Sequence, residues 1–238
     1  MDSMNSSPME TLAIDSVGLE SRSWTEVSAG LRLPHLTKLV LSVPEFDFRD
    51  LLAFLSRQSA LEDLTLLDSP ANLGGNVSGL ALPKLRTLTC PPRTLVAILA
   101  SSIAVPKSCA IAIRPEERQN TICLRDWTYA LRAIGTRQFA NDISIALILG
   151  TADCAFPAQG QACAVGALEQ VEDIIIDVRH SEHLQHNVPD YLRTWLSSST
   201  LPNCGLVIIQ SQRKRRPSRL YHYIMDKFPS PDVDVMEE

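Results

Sequence analysis

One spacing recurs along this chain: apolar, two residues, apolar, one residue, apolar. It occupies Met9/Leu12/Ile14, Leu36/Leu39/Leu41, Leu61/Leu64/Leu66 and Leu85/Leu88/Cys90. The middle residues stand 27, 25 and 24 positions apart. Within Leu39-Val40-Leu41 and Leu64-Thr65-Leu66, alternation sends two side chains to one face of a short strand and one to the other. Between these strands the period becomes helical. Asp47 is placed to cap a run from Phe48 to Leu55. Pro92, favoured near a helix start, precedes Leu95-Val96-Ala97-Ile98-Leu99. Residues 70–79, with Asn, Ser, Pro and three Gly, read as a loop. A strand-plus-helix unit cannot bury its apolar face alone, so the repeat calls for stacked neighbours sharing one core.

The period lies in the range of roughly 20–29 residues expected of leucine-rich repeats. The fold expected is therefore α/β: a leucine-rich-repeat solenoid, parallel strands on one face and helices on the other. The second half repeats more loosely. Its strand-like runs are 110–113, 143–149, 171–178 and 206–209, with helices expected at 126–134 and 189–196. Taking Ile111, Ile143, Ile174 and Leu206 as equivalent gives steps of 32, 31 and 32. Only Val171/Ile174/Ile176 keeps the full pattern. Residues 1–8 are expected to be disordered and 9–212 to form the repeat domain. The segment 213–238 reads as a basic run, a short helix and an acidic tail. Steps near 32 also fit βα units of a doubly wound sheet, which would suit an enzyme or nucleotide binder. An inactive fragment is a third reading.

The phrases Leu33-Pro34-His35-Leu36-Thr37-Lys38-Leu39-Val40-Leu41, Leu51-Leu52-Ala53-Phe54-Leu55, Ala60-Leu61-Glu62-Asp63-Leu64-Thr65-Leu66 and Leu82-Pro83-Lys84-Leu85-Arg86-Thr87-Leu88 resemble the repeat region of fungal F-box proteins. The resemblance covers about residues 9–91. It implies a ubiquitin-ligase substrate receptor, in which an N-terminal F-box holds the adaptor of a cullin ligase and the repeats recruit substrate. The first 30 residues contain no F-box phrase of the Leu-Pro-x-Glu type. The resemblance therefore implies contact with the adaptor only if an F-box lies upstream.

Composition narrows the functions further. Hydrophobic residues make up 45% of the 238 and charged residues 21%, which is ordinary globular usage and enough for a large core. A net charge of −5 offers no general attraction to nucleic acid or to acidic membranes. The first residues, Met1-Asp2-Ser3-Met4-Asn5, have neither a basic start nor an apolar run, and no stretch nears the roughly 18 apolar residues of a membrane span. The expected setting is cytoplasmic or nuclear. Six cysteines, Cys90, Cys109, Cys123, Cys154, Cys163 and Cys204, are scattered without a Cys-x-x-Cys pair and read as reduced, mostly core thiols.

Catalytic signals are missing: no phosphate loop, no dinucleotide glycine motif, no His-Glu-x-x-His and no Gly-x-Ser-x-Gly. No catalysis, cofactor or metal is expected. His180, His183 and His186 have the spacing of one helix side, but their polar surroundings favour a solvated loop over a ligand set. Arg213, Lys214, Arg215 and Arg216 could serve as a nuclear import signal, contact an acidic partner, or form a solvated linker. Another protein is the expected partner. It would meet the residues flanking the strand leucines on the concave face: Lys38, Val40, Asp63, Thr65, Leu67, Thr87, Arg114, Asp173, Ile175 and Asp177.

Overall fold

A computed structural model describes residues 8–15, 26, 28–42, 46–73, 80–104, 109–116, 122–139, 141–149, 158–159, 163–179, 190–197, 199–211, 219–227 and 232–237. The strands, in chain order, are β1 (Thr11–Asp15), β2 (Lys38–Ser42), β3 (Asp63–Leu66), β4 (Leu80–Ala81), β5 (Thr87–Cys90), β6 (Ser102–Ala104), β7 (Ala110–Ile113), β8 (Ile122–Cys123), β9 (Ile143–Ile148), β10 (Ala158–Gln159), β11 (Val171–Asp177), β12 (Leu206–Ser211) and β13 (Asp232–Glu237). The helices are α1 (Phe48–Leu55), α2 (Pro92–Ser101), α3 (Leu124–Thr136), α4 (Asp190–Trp195) and α5 (Arg219–Lys227).

Nine strands form one sheet, in the order β1-β2-β3-β5-β7-β9-β11-β12-β13. Every pairing within it is parallel. Two short pairs, β4 with β6 and β8 with β10, are also parallel. A doubly wound sheet turns back at a switch point; among the described strands the order never reverses. Crossovers between parallel strands are nearly always right-handed.

The register explains why the leucine spacing works. Leu12, Leu39, Leu64 and Leu88 stand side by side across β1, β2, β3 and β5, and Ile111, Ile145, Ile174 and Val207 continue the row. From Leu39 onward each member of the row is buried. A second inward row, Cys90, Ile113, Leu147, Ile176 and Ile209, is likewise buried. The alignment of Ile111 with Ile143 and of Ile174 with Leu206 is corrected here: their neighbours are Ile145 and Val207. In β9, Ile143, Ile145 and Leu147, and Leu149 just after it, are all apolar and buried, so spacing cannot choose among them. In β12, Leu206, Val207, Ile208 and Ile209 are apolar on both faces, so alternation does not mark the phase.

Helices cover the inward rows. In α1, Asp47 caps as its sequence position suggests: Oδ1 accepts from the Arg49 N–H at 2.8 Å. Asn72, at φ 57°, sits in the left-handed region that Asn tolerates, and its amide donates to Asp47 Oδ2 at 2.9 Å. The start of α1 is thus tied to the chain leaving β3. The run expected at 126–134 extends to Leu124–Thr136, and that at 189–196 contracts to Asp190–Trp195. α3 packs on α2. The Trp127 ring stacks on that of Trp195 with centroids 5.7 Å apart, joining α3 to α4. The sheet continues past residue 212, because the acidic stretch at the end supplies β13.

Candidate interaction surface

Alternation that buries one side of each strand turns the intervening residues to the opposite face. Three rows result. The first runs Thr11, Lys38, Asp63, Thr87, Ala110, Ser144, Asp173, Leu206. The second runs Ala13, Val40, Thr65, Thr89, Ala112, Ala146, Ile175, Ile208. The third lies at the strand ends and includes Asp15 beside Ser42, then Ile148, Asp177 and Gln210. Leu67 joins this end by donating its N–H to Leu41 O, and Arg114 does so through Cys90 O.

Eight of the ten residues singled out from the sequence hold register positions in these rows; Leu67 and Arg114 lie just past the ends of β3 and β7. Lys38, Asp63, Thr87 and Asp173 share the first row, and Val40, Thr65 and Ile175 share the second. Leu67, Arg114 and Asp177 mark the strand ends. Most are half-buried, as side chains standing between their neighbours on a sheet are; Ile175 is half-buried and not covered. Asp177 differs. It is 6% exposed, and Arg179 engages both of its oxygens, at 3.1 Å on Oδ1 and 2.8 Å on Oδ2. Sequence reasoning missed Thr89, Ala112, Ser144, Ala146 and Ile208. The alternation of β5 and β9 would have revealed them once their phase was known.

Polar contacts hold parts of this face in place. Ser144 donates to Asp173 Oδ2 at 3.1 Å across β9 and β11. At the exit of β2, Ser42 donates to buried Asp68 at 3.1 Å. Thr94, from α2, donates to Ser69, which donates to Glu116 at 2.6 Å. These bonds link the ends of successive units.

Burial pushes the Cys109 thiol up to about 12 and that of Cys204 to about 11, and raises Cys90 as well. Such thiols stay protonated at neutral pH and are poor nucleophiles. Among the described residues no cluster of His, Cys, Asp or Glu is arranged to hold a metal. His180, His183 and His186, and the basic run Arg213, Lys214, Arg215 and Arg216, lie outside the described residues. A cavity of about 500 Å³ opens at the other end of the sheet, between the end of α3 and the starts of β9 and β11. Gln170 on its wall exchanges both amide bonds with the Phe139 backbone, at 2.9 and 2.8 Å. No helix among the described residues is long and apolar enough to cross a membrane.

Fold and register together define a class: an α/β chain whose described strands form a parallel sheet in sequence order, with one set of alternating side chains buried and the other mostly half-buried. No family model, curated protein or solved structure matches the chain.

Proposed function

We propose that the chain is a leucine-rich-repeat solenoid acting as a protein-interaction scaffold in the cytoplasm or nucleus, with no catalysis of its own. It resembles the substrate-recruiting repeats of an F-box ubiquitin-ligase receptor. In that role it would reach the ligase adaptor only through an F-box upstream. The observation that carries this reading is the unreversed order of the described strands, whose middle outward row, from Ala13 to Ile208, is nowhere buried. A rigid face with Lys, Asp, Thr, Ala and Ile in register suits recognition of a folded or extended protein surface. Among the described strands the order has no reversal of the kind a doubly wound sheet shows at its switch point, which favours the scaffold reading over the enzyme one.

The test is site-specific photo-crosslinking in cells, with the crosslinker placed at Thr65 or Ile175 on the open face, or at Tyr129, which is exposed on α3. The expected outcome is a discrete protein adduct from Thr65 or Ile175 and none from Tyr129. Adducts from Tyr129 alone, or from no position, would sink the proposal.

A further inference from the structure

We draw no further inference here: the strongest candidate, the outward row Ala112, Ala146, Ile175 and Ile208 across β7, β9, β11 and β12, is a half-buried apolar sheet face, and nothing in the structure shows what covers it.

Discussion

Leu64 has neighbours of its own kind on both sides: Leu39 on β2 and Leu88 on β5, with helices over the row. It is 0% exposed, so truncation leaves a hole that rigid strands cannot close. Leu64→Ala should cost roughly 2–5 kcal/mol, read as a lower denaturant midpoint at unchanged slope. A loss below about half a kcal/mol would contradict the inward placement of this row. Asp47 offers a different test. The Asn72 amide, above all, holds its carboxyl below the ordinary range; burial opposes that effect, and the Arg49 N–H supports it. A carboxylate whose pKa is lower folded than unfolded contributes stability at pH above its unfolded value. That contribution is lost as pH falls through the folded value. Asp47→Ala should therefore cost about 1 kcal/mol near neutral pH, the usual worth of a cap. The gap between variant and wild type should close in urea titrations run well below the carboxylate range.

Among the elements, α3 and its neighbour show where packing overrides propensity. Gly135 sits inside this helix, where alanine is ordinarily preferred by about 1 kcal/mol. A Cβ there would lie 2.9 Å from Leu168 Cδ2 and 3.2 Å from Ala167 O, and Leu168 is buried. Gly135→Ala should lower Tm, with an overpacking cost of roughly 1–3 kcal/mol outweighing the gain in propensity. A raised Tm in a thermal melt would show that the approach is looser. The same contrast explains what the sequence made legible. Each of β1, β3 and β5 keeps a polar or small residue between two apolar ones, and in β2 Lys38 and Ser42 flank the apolar run, so their phase, and hence Lys38, Val40, Asp63, Thr65 and Thr87, is legible from spacing. In β9 and β12, apolar residues crowd the phase marker, and there the register slipped by two positions and by one. The bulge between Val171 and Asp173 hides a further offset that no spacing rule carries. The apolar half of the open face falls in these strands, so it was read only through Ile175. The capture of Asp177 by Arg179 two residues later is a turn contact that periodicity does not encode.

Taken whole, the molecule has a graded core. Central strands are paired on both sides and covered by helices, whereas β1 has one partner and its Leu12 and Ile14 are only half-buried. Amide exchange should follow that gradient: β1 opening first, β5, β7 and β9 last, near the global limit. Hydrogen-exchange mass spectrometry showing equal protection across the sheet would contradict it. Strand order carries a consequence of another kind, in heredity. Lys38 stands beside Asp63, and Asp63 beside Thr87, so 24 residues, 63–86, separate equivalent positions on neighbouring strands. A gene that lost the codons for those residues through unequal crossing-over would bring Leu39 beside Leu88 with the phase of both strands preserved. Inheritance of such a deletion would narrow the sheet by one strand while the rows on either side stayed in step.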